Sequence, residues 1–196
     1  MKVLAFSGSP RKEGETVRLL GEVLAGASEA GAETEMIHLV DTTIRQCMGC
    51  YSENPEDCDI SRCTRGELAD SMAGLFQKII WADALVIGSP VYWFSVSGLT
   101  KTFLDRLTPL ENKGRYLDGK PCGLVAVAEE EGSIAALGPV AAALSWMGFV
   151  IPPYGLVYNN GLEPDEVLED ARCLGRSLAW LAGAIKGYNF HDGKAM

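Results

Sequence analysis

At 196 residues, 47% of them hydrophobic and 22% charged, the chain has the balance of an ordinary globular protein with a substantial core. A net charge of −9 excludes the basic face that nucleic-acid phosphates require, and no apolar run is long enough to span a membrane. The chain opens at once with Lys2-Val3-Leu4-Ala5-Phe6, too short for a secretory signal, so a cytoplasmic location is expected and the six cysteines read as ligands, redox groups or core residues before disulfides.

Residues 2–7 are a short apolar run closed by Ser7-Gly8-Ser9-Pro10, which predicts a buried strand entering a turn. From Thr16 onward, Leu19, Leu20, Val23, Leu24 and Ala27 recur on one helical face. Residues 35–40 alternate polar and apolar, as a second strand would. Residues 46–67 are polar, carry four cysteines and show no periodicity, so they read as a cysteine-rich inserted loop. Met72, Leu75, Phe76 and Ile79 restore the helical period, and residues 84–88 form the continuous apolar run of a central parallel strand. Lys101 to Arg106 begins another helix. Two further strand–helix pairs follow, 122–128 with 133–147 and 149–158 with 164–186. Pro152 and Pro153 put the fifth strand at an edge or start it after them. Trp81, Trp146 and Trp180 fall on apolar helical faces and are expected in the core, as are Cys122 and Cys173 as small buried residues. His38 and His191, the only histidines, are assigned no role. Five strands alternating with helices predict an α/β fold: one domain over 1–196, a doubly wound five-stranded parallel sheet with helices on both faces.

The loop from Ser7 to Thr16 suits a terminal phosphate. The start of the next helix offers unpaired N–H groups and the positive end of a dipole. Ser9 and Thr16 add hydroxyls, Arg11 adds a charged fork, and Gly8 and Gly14 let the backbone come close. A Rossmann G-x-G-x-x-G is absent. The Walker pattern also fails, because five residues separate Gly8 from Gly14 and Glu15 stands where the lysine belongs. The plainer alternative is a solvated turn with Thr16 as helix cap. A second loop, Ser89-Pro90-Val91-Tyr92-Trp93-Phe94, leaves the C-terminal end of the central strand, where ligands of doubly wound sheets bind. Three consecutive aromatics cannot all turn into a core from a loop, so at least one is expected to be exposed or to cover a flat ligand.

Gly8-Ser9-Pro10-Arg11 with Gly14-Glu15-Thr16, then Pro90-Val91-Tyr92-Trp93 with Ser97-Gly98 and Lys101 to Arg106, resemble the NADPH-dependent FMN reductase family of flavodoxin-like proteins. The resemblance runs from residue 1 to about the fifth strand. It implies FMN as cofactor and NAD(P)H as co-substrate. Ser9, Arg11, the backbone of Glu15, Thr16 and Val17 would hold the phosphate; Pro90, Val91, Tyr92, Trp93 and Phe94 would line the flavin ring. Many members carry glycines after the fourth strand, whereas this chain has Glu129-Glu130-Glu131-Gly132. Read as a solvated charge run, it leaves Glu129 and Gly132 to approach the ring.

Cys47, Cys50, Cys58 and Cys63 suit a tetrahedral zinc or a [4Fe–4S] cluster, or remain free thiols. They also resemble the cysteine motif of the iron-sulfur flavoprotein branch of the same family, with a second gap of seven residues where the branch has about two. The function expected is an FMN-dependent NAD(P)H oxidoreductase delivering electrons to a small molecule or a redox protein. The alternative is an electron carrier joining FMN and a cluster to ferredoxin-type partners. The resemblance further implies a homodimer or homotetramer. No catalytic side chain is expected, since the flavin carries the chemistry.

Overall fold

Strand β1 (Lys2–Ser7) is buried on both faces, as its unbroken apolar run requires. The computed structural model describes residues 1–160, 164–189 and 194–195. After β1 come α1 (Glu15–Glu29) and β2 (Glu33–His38), then two single-turn helices, α2 (Cys50–Glu53) and α3 (Ile60–Cys63). Helix α4 (Met72–Trp81) leads into the central strand β3 (Ala84–Tyr92). A short β4 (Ser95–Val96) folds back on β3, and α5 (Gly98–Asp105) and α6 (Thr108–Asn112) follow. The chain then runs through β5 (Cys122–Val127), α7 (Ser133–Trp146), β6 (Leu156–Asn159) and α8 (Pro164–Ala184) to a small hairpin of β7 (Tyr188–Asn189) and β8 (Lys194–Ala195).

The parallel strands lie in the order β2-β1-β3-β5-β6. Among five parallel strands this is the flavodoxin-like order, whose ligands bind beyond the strand C-termini. Alternation along the strands divides the core. Val3, Ala5, Val86 and Val125 face α1 and α8, while Leu4, Phe6, Leu85, Ile87 and Leu124 face α4, α5 and α7. The last strand is only Leu156–Asn159, at the sheet edge and after both prolines, because neither proline can donate to a ladder.

Two expectations are corrected, those for the tryptophans and for Cys173. Trp81, Trp146 and Trp180 are 66%, 89% and 72% exposed, so none is a core residue. Trp81 ends α4, where Lys2 Nζ sits 4.0 Å above its ring. Trp146 lies on α7, whose uncharged, mostly apolar sequence marks no inner face. Cys122 is fully buried but Cys173 is only half-buried, its Sγ 3.0 Å from Arg176 Nη2. His38 ends β2 with a buried Nδ1 lacking a partner among the described residues; His191 lies outside them.

Candidate functional site

The loop after β1 delivers an uncapped helix. Gly14 is the N-cap of α1, no side chain caps it, and Thr16 lies buried inside the first turn, so it is not the cap. Val17 and Arg18 donate to the Gly14 carbonyl at 3.0 Å. The N–H groups of Glu15 and Thr16 and the Thr16 hydroxyl find no partner among the described residues. Such orphan donors at the positive end of a 15-residue helix form an anion cradle. Glu15 does not oppose it with its carboxylate, which turns back to Arg18 Nη1 at 3.3 Å. Lys12 is paired with Asp41 at 2.6 Å, whereas exposed Arg11 has no carboxylate partner among the described residues. The Ser9 hydroxyl is turned onto the loop itself: it accepts from Arg11 N at 3.1 Å and donates to Arg11 O at 2.9 Å.

The second loop is a hairpin. Val91 pairs with Val96 and Tyr92 with Ser95, leaving Trp93 and Phe94 as a two-residue turn with φ of 50° and 60°. Two positive φ values belong to a type I′ turn, which ordinarily takes Asn-Gly. Two bulky aromatics there are strained, and strain of this kind collects at ligand sites. Pro90 is buried beside Val127, Val91 is half-buried, and Tyr92, Trp93 and Phe94 are exposed, Trp93 to 96%. Gly132, at φ 98°, packs against the turn: a Cβ on it would lie 2.8 Å from Phe94 Cδ1. A cleft beside the turn is lined by Val91, Trp93, Phe94, Ala128 and the exposed Glu129, Glu130 and Glu131.

Buried hydroxyls join the two loops. Ser97 Oγ donates to Gly8 O at 2.7 Å, and Ser97 N donates to Ser89 Oγ at 2.9 Å. Thr100 Oγ1 lies 3.0 Å from Ser97 Oγ, and a Cβ on Gly8 would come within 1.8 Å of it. Only glycine therefore fits at position 8. Sequence reading assigned Ser97 and Thr100 no task; their local signal is a Ser N-cap, with Ser97 Oγ accepting from Thr100 N at the start of α5.

Some residues further, Cys47, Cys50, Cys58 and Cys63 all line one cavity, with Arg62 and Arg106 among its other walls. Among the described residues no three His, Cys, Asp or Glu side chains converge closely enough to hold a single ion. The thiols surround a common space instead. Burial pushes the Cys58 thiol up to about 11, with Cys63, Cys47 and Cys50 adding to the rise. Burial also raises Cys63, against the pull of Arg106.

Arg106, which the sequence offered only as the last residue of a helix motif and without a role, anchors this segment. Its side chain and that of Asp70 are both fully buried and paired at 2.7 Å. Arg106 Nε donates to Cys63 Sγ at 3.2 Å, Nη2 to Cys63 O at 2.5 Å, and Nη1 to Arg45 O at 2.8 Å. Asp70 in turn accepts from Arg45 N and Met72 N, each at 2.8 Å. One guanidinium thus closes the base of the cysteine segment. The signal available was an arginine set among Phe103, Leu104 and Leu107, all buried.

A flavodoxin-like sheet carrying an anion cradle and an aromatic cleft at one edge defines a nucleotide-cofactor protein of the doubly wound class. The chain belongs to the NADPH-dependent FMN reductase family, a family of FMN-dependent oxidoreductases, whose model matches residues 1–162. An iron-sulfur flavoprotein of Methanocaldococcus jannaschii is 39% identical over 127 residues, 65% of this chain and 62% of that protein. The chain thus spans less than two thirds of that relative. An iron-sulfur flavoprotein of Archaeoglobus fulgidus is 29% identical over 188 residues, 91% of this chain and 79% of its own length. Among solved structures, RosB with bound intermediate OHC-RP (8-demethyl-8-formylriboflavin-5'-phosphate) is similar at a TM-score of 0.77 and 22% identity, over 95% of this chain and 80% of that one. At that identity the likeness concerns the fold. No helix among the described residues is long and apolar enough to cross a membrane.

Proposed function

We propose that this chain is an FMN-dependent NAD(P)H oxidoreductase that passes electrons from a nicotinamide through FMN to an acceptor, a small molecule or a redox protein. The observation that carries this reading is the pairing of an uncapped α1 with a strained aromatic turn, tied together by the Ser97–Gly8 hydrogen bond. The α1 amides of Glu15 and Thr16, the Thr16 hydroxyl and Arg11 would hold the phosphate, with Val17 beside them. Ser9 shapes the loop. Pro90 to Phe94 would lie along the ring, with Glu129 and Gly132 at its other edge. FMN, when bound, supplies hydride acceptance and electron delivery; the chain supplies position, exclusion of water and the local field.

A second reading follows from the common cavity of the four thiols. Cys47, Cys50, Cys58 and Cys63 would hold a [4Fe–4S] cluster, making the protein an electron carrier toward ferredoxin-type partners; zinc is the lesser alternative. The test is a visible absorption spectrum of anaerobically purified protein before and after NADH or NADPH, with iron, sulfide and zinc assays. Flavin bands that bleach with either nicotinamide are expected. Flavin-loaded protein that neither nicotinamide reduces overturns the first reading, and protein lacking iron and sulfide overturns the second.

A further inference from the structure

We infer that Arg106 sets the reduction potential of the group that Cys47, Cys50, Cys58 and Cys63 hold, acting on it through the sulfur of Cys63, and that Asp70 limits the effect. The inference rests on the [4Fe–4S] reading of those cysteines and deepens it. Among the described residues the four thiols wall one cavity without closing on a single ion. That arrangement suits a polynuclear cluster better than one zinc.

The guanidinium divides its donors between two tasks. Nη1 donates to Arg45 O at 2.8 Å and to Asp70 Oδ2 at 2.7 Å, and Nη2 donates to Cys63 O at 2.5 Å. These bonds anchor the segment whatever its cavity contains. Nε is different: it donates to Cys63 Sγ at 3.2 Å, the atom that would ligate iron. An anchor needs only the two Nη groups, so a purely structural role leaves the bond to sulfur unexplained.

The potential of an iron–sulfur cluster follows its net charge, the hydrogen bonds to its sulfurs and its exposure to solvent. Arg106 supplies a charge and a hydrogen bond where solvent is scarce, being fully buried itself and bonded to a Cys63 that is 9% exposed. One-electron reduction adds a single negative charge to a thiolate-bound cluster, with no bond broken and no proton moved. A buried positive charge touching a ligand sulfur favours that reduced state and so raises the potential. At the effective dielectric of ~20 that fits protein interiors, a unit charge in such contact changes an equilibrium by well over tenfold. Asp70, its side chain fully buried and paired with the same guanidinium, brings a negative charge that offsets part of this.

Arg62 is the internal comparison. It lines the same cavity and interacts with Cys50, yet it is exposed and bridged to Asp57 at 3.0 Å. Water and salt screen a charge placed there.

The test is a dye-mediated redox titration of the anaerobically purified, cluster-loaded full chain. Dithionite is the reductant, and electron paramagnetic resonance counts the reduced cluster. Arg106→Met should make reduction at least tenfold less favourable, a fall of about 59 mV or more for one electron. Asp70→Asn should shift the potential upward, because the positive charge then stands unopposed. Arg106→Met combined with Asp70→Asn buries no unpaired charge and should still titrate below wild type, since the N–H···S bond is gone. That double variant decides the matter where Arg106→Met alone fails to fold or to hold its cluster. Arg62→Gln should change the same equilibrium less than threefold. A merely loosened cysteine segment would send Arg106→Met and Asp70→Asn in the same direction. That result would overturn the inference while leaving the cluster reading intact. So would loaded Arg106 variants within threefold of wild type, or an Arg62→Gln shift equal to theirs. Wild-type protein without iron and sulfide would overturn both.

Discussion

Replacing Arg106 by Met keeps most of the stem and removes a charge whose five N–H groups bond Cys63, Arg45 and Asp70. Asp70 would then stay buried among amide donors with no counter-ion. Removing one partner of a buried pair costs about 3–5 kcal/mol. For a chain of this length each kcal/mol lowers the melting temperature by roughly 2–4 °C, so Arg106→Met should melt about 10 °C below wild type. The effect has a definite pH dependence. Burial opposes the Asp70 charge, but Arg45 N, the Arg106 guanidinium and Met72 N outweigh it and hold the carboxyl below its usual range. A depressed carboxylate contributes stability that is full above the unfolded value, about 3.9, and is lost as pH falls through the folded value. In the variant the buried carboxyl gains stability on protonation instead. The gap between wild type and variant should therefore narrow below about pH 4. Urea unfolding followed by circular dichroism at pH 7 and pH 3.5 measures it, with Asp70→Asn and the double variant completing a cycle. A coupling of about 2 kcal/mol or more is expected for groups in direct contact. A melting shift under 2 °C, additive single variants, or a gap constant with pH would refute the account.

The turn at Trp93 and Phe94 should trade stability for binding. Trp93→Asn with Phe94→Gly installs the residues a type I′ turn favours and should stabilise the apoprotein by about 2 kcal/mol, at 1–2 kcal/mol per left-handed residue. The same change should weaken FMN binding at least tenfold in a fluorescence titration; unchanged affinity would remove the aromatics from the ring site. Gly8→Ala places a methyl 1.8 Å from Thr100 Oγ1. Overpacking of this kind costs about 1–3 kcal/mol and should release FMN on dialysis. Adding Thr100→Ala should recover part of both losses, and failure of that rescue would show that the fault lies elsewhere in the loop.

What the sequence revealed and what it hid divide along physical lines. Strands β1, β3 and β5 were legible because strands buried on both faces are written as unbroken apolar runs. Helix α1 was legible because one of its faces packs and the other meets solvent. Helix α7 was visible as a helix but not in its orientation, since it is uncharged on every side, and Trp146 was misplaced in consequence. The cysteine segment hid α2 and α3 because long-range bonds hold it. Asn112 Nδ2 donates to Pro55 O at 2.8 Å and Cys58 O at 3.0 Å, and Arg106 reaches back 43 residues to Cys63. Both candidate loops could be read from their residue types, but their connection could not, because Ser97 and Gly8 are 89 residues apart. The positive φ at Trp93 and Phe94 was equally hidden, because bulky side chains predict against it.

These hidden contacts converge on α5. Ser97 at its N-cap holds the anion loop, and Arg106, one residue past its end, holds the cysteine segment. At 1.5 Å per residue the nine steps from Ser97 to Arg106 separate those grips by about 14 Å. A single packed helix, fixed by Phe103 stacked on Phe6 with ring centroids 4.8 Å apart, therefore sets the geometry between the proposed flavin site and the four thiols. Loosening either grip should disturb one loop locally, whereas tilting α5 should disturb both together.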